Sequence, residues 1–250
     1  MAENAKTAKT SYLLAGVIAL SAVVLTFGYA LGYRLKDDFT IGKIGALTLA
    51  VSVPETSVII DQKEQIASSK ENKNVEIYLS PGQHEIIVSR DLFFPWKKKV
   101  VMPSGGSITL SPILVSMNPS GQIINQDDPE FWKIKNSISK NISPTKEIPL
   151  LSADMSTLIW LEDNTVVAKI QNETQQIIKP EQNIRNIDFY KDRSDSIIFS
   201  ADNGVYIIEI SPKDNQNFMP IYKGSRPSFI KTDPNYIYIE DGDVLMQVVI

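Results

Sequence analysis

The feature that most constrains this chain is an uncharged stretch near its N-terminus. From Ser11 to Tyr33 the sequence SYLLAGVIALSAVVLTFGYALGY holds no Asp, Glu, Lys, Arg or His over 23 residues. As a helix such a stretch is roughly 34 Å long, enough to cross the hydrocarbon core of a bilayer. Tyr12, Tyr29 and Tyr33 would then lie near the headgroups, where aromatic rings are common. The sequence therefore predicts a membrane-spanning helix, with the bilayer as a partner through Ser11–Tyr33.

The residues on either side of this stretch predict its orientation. The tail 1–10 is short and carries Lys6 and Lys9, whereas the whole body of the chain follows the stretch. The apolar run is longer than the core of a cleaved signal peptide, about 7–15 residues, so an uncleaved anchor is predicted. These observations predict a single-pass membrane protein with a cytoplasmic N-terminus, a stalk over 34–45 and an extracytoplasmic body. Gly28 and Gly32 are four residues apart, a spacing that is typical of close helix–helix packing. The spacing is therefore compatible with an oligomer but does not establish one.

Composition excludes several classes of site. The chain of 250 residues has a formal net charge of −4, which provides no basic face for nucleic acid. It contains no Cys, so disulfides, thiolate metal sites and Cys nucleophiles are excluded. Its one histidine, His84, cannot form a His-rich metal cluster and is predicted to be a strand residue, not a catalytic one. No cofactor and no metal are predicted.

Residues 46–115 carry the pattern of a small β-domain. In ALTLAVSV, which starts at Ala46, apolar residues alternate with small or polar ones, and Val75–Leu79 repeats the alternation. Turn residues at Ser80–Gln83 and Pro103–Gly106 predict tight connections, the second of them as a hairpin between neighbouring strands. Many short strands with frequent turns predict a β-sandwich.

The same residues resemble a known family, the PEGA domain. The resemblance rests on Gly45-Ala46-Leu47, on Val53-Pro54-Glu55, on the strand that ends at Asp61, and on Leu79–His84 before the next strand. Phe93–Trp96 and Leu110-Ser111-Pro112 are also similar, whereas Thr56-Ser57 stand where the family has Gly-Ala. The resemblance implies an extracytoplasmic bacterial β-domain without catalytic residues.

A repeat follows a connector predicted over 116–147, in which one strand is predicted at Phe131–Lys135. The segments LIWLEDNTV, IIFSADNGV and YIYIEDGDV place Trp160, Phe199 and Tyr238 at intervals of 39 residues. Each segment contains Asp-Asn or Asp-Gly, which are typical of two-residue hairpin turns.

Hairpins that recur at about 40 residues are typical of β-propeller blades. We therefore predict three propeller-like repeats over 148–250. The third copy, which ends in Val249-Ile250, is predicted to lack its outer strand, so the ring is incomplete. The predicted fold class is thus all-β, with one transmembrane helix, a PEGA-like sandwich and propeller-type four-stranded repeats.

One surface patch is a candidate for contact with a partner. Phe93, Phe94, Trp96 and Lys97 combine aromatic rings with the start of a lysine run, which could contact a protein or a glycan. Acidic residues such as Asp202 sit among Asn, Gly and Pro and are interpreted as turn residues. No G-x-S-x-G nucleophile motif occurs.

These features predict a non-catalytic, membrane-anchored binding or scaffold protein of the bacterial cell envelope. The alternative is that the chain is the N-terminal part of a larger envelope enzyme, a peptidase or glycan hydrolase, whose catalytic part lies beyond Ile250. An appended segment with a nucleophile motif would favour the enzyme, and further β-repeats would favour the binding module.

Overall fold

The computed structural model of the chain describes residues 2–35, 40–51, 53–67, 74–211 and 216–250, and for 2–13 and 64–67 it describes the backbone alone. The described residues are mostly β-strands, as predicted. They fall into two compact units, and the division passes through two strands. Unit 1 runs up to Ile86 and includes Lys99–Pro112, and unit 2 comprises Ile87–Lys98 and Ile113–Ile250.

The first part of the chain holds one helix and nine strands among the described residues. These are α1 (Ala2–Ala30), β1 (Tyr33–Leu35), β2 (Ile41–Lys43), β3 (Gly45–Ala50), β4 (Ser57–Ile60), β5 (Lys63–Ala67), β6 (Asn74–Leu79), β7 (Gly82–Ser89), β8 (Trp96–Met102) and β9 (Ser107–Leu110).

The prediction of a membrane-spanning segment at Ser11–Tyr33 is wrong. A search of the described residues finds no helix that combines the length and the apolar character needed to cross a membrane. Helix α1 ends at Ala30, and Tyr33 already begins strand β1, so the uncharged run does not form one continuous helix. The predicted single-pass topology, with a cytoplasmic tail and an extracytoplasmic body, is therefore wrong as well.

The predicted stalk is partly regular structure. Strands β1 and β2 pair as an antiparallel two-stranded sheet, with Arg34 opposite Gly42. Residues 36–39 of the predicted stalk lie outside the described residues.

Two sheets follow in the region predicted as a sandwich, with strand orders β6-β3-β9 and β5-β4-β7-β8. Alternation in β3 buries Leu47 and Leu49 completely, as the period of two predicts. The predicted hairpin at Pro103–Gly106 is wrong, because β8 and β9 belong to different sheets and β9 pairs in parallel with β3. Gly105 nevertheless takes a φ of +68°, which explains the glycine in this turn.

Unit 2 adds one α-helix and twelve strands among its described residues. These are β10 (Gly121–Ile124), α2 (Phe131–Lys140), β11 (Leu150–Leu151), β12 (Thr157–Glu162), β13 (Thr165–Ile170), β14 (Glu173–Ile178), β15 (Ile184–Phe189), β16 (Ser196–Ala201), β17 (Gly204–Glu209), β18 (Phe218–Lys223), β19 (Ser228–Asp233), β20 (Tyr236–Asp241) and β21 (Val244–Val249).

These strands form three four-stranded antiparallel sheets. The first sheet has the order β11-β12-β13-β14, the second β15-β16-β17-β18 and the third β10-β21-β20-β19. The first and second sheets share a core in which Ile159, Ile197 and Phe199 are at most 1% exposed. The third sheet takes its fourth strand from upstream, because β10 pairs with β21. Within 148–250 the third copy thus supplies three strands, and the outer strand of its sheet is β10.

The third copy is also displaced by one residue relative to the other two. Its hairpin turn is Gly242-Asp243, so the residue equivalent to Phe199 by strand pairing is Ile239, which faces Met246 as Phe199 faces Tyr206. A shift of one residue moves a side chain to the opposite face of a strand. Tyr238 accordingly packs against the cluster around helix α2 and is only half-buried.

Helix α2 replaces the strand predicted at Phe131–Lys135. Its buried residues Phe131, Ile134 and Ile138 recur at helical spacing and pack with Leu245 of the third sheet. The connector predicted over 116–147 thus contains strand β10 of the third sheet and helix α2, which packs against that sheet.

Candidate functional site

The predicted aromatic and basic patch is not one continuous surface. Trp96, at the start of β8, is only 2% exposed. Its indole Nε1–H donates a hydrogen bond to Oε1 of Glu209 at 2.5 Å. Trp96 is therefore a core residue of unit 2, and its ring is not available to an external ligand.

The other residues of the patch are divided between core and surface. Phe93 and Phe94 are half-buried, and the Phe94 N–H donates to the Val115 carbonyl oxygen at 2.9 Å. The Lys97 side chain is exposed, while its backbone N–H donates to Oδ1 of Asn217 at 2.9 Å and its carbonyl oxygen accepts from Nδ2 at 2.9 Å. Trp96 and Lys97 thus belong to a polar cluster with Glu209 and Asn217.

The centre of that cluster is the buried carboxylate of Glu209. Besides Trp96, it accepts hydrogen bonds from Nζ of Lys98 at 2.8 Å and from Nδ2 of Asn217 at 2.9 Å. Its side chain is 6% exposed, and a charge buried this deeply is tolerated because these donors replace water. This arrangement stabilises the fold and leaves the carboxylate no free coordination.

His84 is held equally firmly in unit 1. Its Nδ1 lies 2.7 Å from Oδ2 of Asp61, and its Nε2 lies 2.7 Å from the Ser80 carbonyl oxygen. Because both partners are acceptors, the imidazole satisfies them best when both of its nitrogens carry a proton. Burial lowers the pKa of His84, but the hydrogen bonds to Asp61 and Ser80 raise it by more, so the pKa lies above its ordinary value. His84 therefore has no free nitrogen with which to act as a base.

A polar cavity in unit 2 is the best candidate site. It has a volume of about 700 Å³, and its lining includes Asn183, Arg185, Asn186, Asp202, Arg226 and Ser228. We call it the polar cavity. Arg185 and Asn186 come from β15, Asp202 from the β16–β17 turn, and Ser228 from the first residue of β19. The last turn of α2 contributes Ser139.

The turn that carries Arg226 is fixed by its backbone. Arg226 has a φ of +77°, a conformation that is rare for a residue with a side chain. It is held there because its N–H donates to the Asp202 carbonyl oxygen at 2.8 Å. Asp241 supports the same turn, accepting hydrogen bonds from the Ser225 N–H at 2.9 Å and from the Tyr222 hydroxyl at 3.0 Å.

Sequence reasoning missed the residues of the polar cavity. Asp202 was interpreted only as a turn residue, although its carboxylate lies near two guanidinium groups. Arg185 and Arg226 are far apart in the sequence and belong to no motif, so only the fold brings them together. Asp128 is a turn residue as interpreted, since its Oδ2 accepts from the Asn125 N–H at 2.7 Å. Among the described residues, no cluster of His, Cys, Asp or Glu could hold a metal ion.

Comparison with known proteins adds no relative. No protein-family model matches the chain. No curated protein matches it either. The candidate site must therefore be interpreted from its own geometry.

Proposed function

We propose that this protein is a non-catalytic binding module and that its ligand site is the polar cavity of unit 2. The observation that carries the proposal is the set of hydrogen-bond donors that line this cavity without a partner. The guanidinium of Arg226 makes no hydrogen bond to any described residue, and its Nε lies 3.9 Å from Oδ1 of Asp202. A ligand would supply the missing acceptors.

The proposal extends to the architecture that presents the cavity. We infer that unit 2 is built from propeller-type repeats, supported by three meandering four-stranded sheets of which the last is completed by an upstream strand. We infer likewise that unit 1 is a PEGA-like sandwich. Its support is the sequence resemblance together with the way β6 and β7, and then β8 and β9, alternate between two sheets.

The environment of His84 also favours binding over catalysis. Both ring nitrogens contact acceptors of the protein itself, so the imidazole serves to hold the Ser80–His84 turn against Asp61. A general base needs a free nitrogen within reach of a substrate proton.

The experiment that tests the proposal is isothermal titration calorimetry with small polar probes: glucuronate, glucose, succinate and inorganic phosphate. Ser139 is exposed, lies on α2 and lines the cavity, so Ser139→Trp should obstruct the cavity without disturbing the core. Asn136→Trp places the same bulk on the same helix outside the cavity lining and is the matched control.

We expect at least one probe to bind saturably to the wild-type chain and to Asn136→Trp, but not to Ser139→Trp. Failure of all four probes to bind, or binding that Ser139→Trp leaves unchanged, would contradict the proposed site.

A further inference from the structure

Two guanidinium groups in the polar cavity face a single carboxylate at a distance too long for hydrogen bonding. Nη1 of Arg185 lies 4.0 Å from Oδ1 of Asp202, and Nε of Arg226 lies 3.9 Å from the same oxygen. An N–H···O hydrogen bond needs about 2.7–3.2 Å. Asp202 therefore neutralises part of the charge without satisfying the donors.

Most of the N–H groups of these two arginines are free of acceptors within the described part of the chain. Arg185 uses only its Nε–H, which donates to the Ser228 hydroxyl at 3.1 Å. This bond fixes the stem of the side chain, and the terminal nitrogens make no hydrogen bond within the described part of the chain. Arg226 is 75% exposed, and its guanidinium makes only the long ion pair with Asp202.

Asn186 adds a third donor from the cavity wall. The residue is 4% exposed, and its Oδ1 accepts hydrogen bonds from the Ser200 hydroxyl and the Phe229 N–H, each at 3.2 Å. Its Nδ2 has no acceptor among the described residues. No fully enclosed side-chain nitrogen or oxygen lacks a partner in the described part of the chain, so this amide is open to the cavity that Asn186 lines. An amide held in this way is oriented in advance toward an acceptor.

The cationic groups of the lining are the two arginines, and its carboxylates are Asp202 and Glu240. Glu240 is paired at 3.1 Å with Lys135, which lies outside the lining, so Asp202 is the carboxylate that faces both guanidinium groups. Planar guanidinium groups match the geometry of carboxylate and phosphate oxygens, which accept two parallel hydrogen bonds.

We infer that the polar cavity binds its ligand through an oxyanion, a carboxylate or a phosphate, which Arg185 and Arg226 hold between them while the Asn186 amide donates to the same group or its neighbour. The inference rests on the proposed function, because it names the ligand chemistry of the same site. The Asp202 carboxylate lies near both guanidinium groups and therefore competes with the ligand's oxyanion for them.

The four calorimetric probes separate the possible sources of the oxyanion. Glucuronate and glucose differ chiefly by a carboxylate, and we expect glucuronate to bind at least tenfold more tightly than glucose if the ligand is an acidic sugar. Preferential binding of succinate would identify a simple dicarboxylate, and preferential binding of phosphate would identify a phosphate group. Binding of the preferred probe should weaken as salt is added, because the contact is between charges near the surface.

Two substitutions should change the affinity in opposite directions. Arg226→Gln removes one guanidinium and should weaken oxyanion binding by about tenfold or more, which is the loss of one charge-assisted contact. Asp202→Asn removes the competing carboxylate and should tighten binding several-fold. Arg90→Gln, in unit 2 but outside the cavity lining, is the control and should leave the affinity unchanged. Since Arg226 is largely exposed, its substitution should not change the melting temperature.

The possible failures are distinct. If glucose binds as tightly as glucuronate and Ser139→Trp abolishes both, the site is real and the oxyanion inference is overturned. The inference is also overturned if an oxyanion binds but Arg226→Gln does not weaken it. If none of the probes binds, both the inference and the proposed function fail.

Discussion

Phe199 is a buried aromatic residue of the second repeat sheet. It is 1% exposed and packs in the core that the first and second sheets share. Phe199→Ala should therefore lower the free energy of unfolding by about 3–5 kcal/mol, as measured by urea denaturation. Tyr238→Ala is the matched comparison, because Tyr238 is half-buried beside α2, and its loss should be smaller. Equal losses for the two variants would contradict the one-residue displacement of the third copy.

Glu209 offers a second test at the scale of one residue. Glu209→Ala leaves the ammonium group of Lys98, whose side chain is 16% exposed, without its carboxylate partner. Breaking a buried ion pair from one side costs about 3–5 kcal/mol. Urea denaturation should show that loss, and Glu209→Gln, which keeps an acceptor oxygen for Trp96 or Asn217, should lose less stability. A Glu209→Gln variant no more stable than Glu209→Ala would contradict the role of these hydrogen bonds.

At the scale of the element, the hairpin between β12 and β13 shows why turn chemistry was predictable. Asp163 and Asn164 have φ values of +47° and +58°, the conformation that favours Asp, Asn and Gly. The Asn164 side chain does more than turn the chain. Its Nδ2 donates to the carbonyl oxygens of Pro180 and Gln182, and its Oδ1 accepts from the Ile184 N–H at 2.7 Å.

Two substitutions separate these roles of Asn164. Asn164→Gly keeps the backbone conformation and loses the three hydrogen bonds, whereas Asn164→Ala loses the bonds and adds backbone strain of about 1–2 kcal/mol. Thermal or urea unfolding should therefore rank wild type above Asn164→Gly and Asn164→Gly above Asn164→Ala. If alanine proved as stable as glycine, the left-handed conformation of this turn would be in doubt.

The glycine that follows the hairpin turn of the second sheet, Gly204, is required for a reason other than a left-handed turn conformation. Gly204 does not have a positive φ, and the turn of that hairpin is Asp202-Asn203. A Cβ at Gly204 would instead collide with the Tyr222 carbonyl oxygen on the neighbouring strand. Glycine is required here because two backbones approach closely, a requirement that the sequence of one hairpin cannot reveal.

At the scale of the whole molecule, alternation predicted strands such as those at Ala46 and Val75–Leu79 because this signal is local. The pairing of β9 with β3 and of β10 with β21 was not predictable in this way, since each joins segments far apart in the sequence. The polar cavity escaped prediction for the same reason. The error at Ser11–Tyr33 had another origin, because the absence of charge was taken as sufficient evidence for a continuous apolar helix.

The pair His84 and Asp61 should make the stability of the protein depend on pH. The folded state raises the pKa of His84 above 6.5, so its stabilising contribution is complete below that value and is lost as the pH rises through the folded pKa. Burial raises the pKa of Asp61, but hydrogen bonds from the Glu85 N–H and His84 and the nearby charge of Lys63 lower it by more. Its contribution is therefore present above 3.8 and is lost at lower pH.

Urea denaturation between about pH 5 and pH 9 should accordingly show a decrease in the free energy of unfolding as the pH rises above 6.5. His84→Gln should be less stable than wild type near pH 5 and should lack this decrease. The assignment is unambiguous because His84 is the only histidine of the chain. An unchanged profile in His84→Gln would mean that another group titrates.

The pairing of β10 with β21 has a consequence for how the protein folds. Gly121 lies opposite Val248, so this ladder closes a loop that contains the first and second repeat sheets entirely. Contacts between such distant residues form late, because closing a long loop lowers the entropy of the chain before the hydrogen bonds of the ladder can stabilise it. Until then the apolar strand β21 presents a bare edge, which is a template for pairing with another chain. We therefore expect slow refolding in which the yield falls as the protein concentration rises.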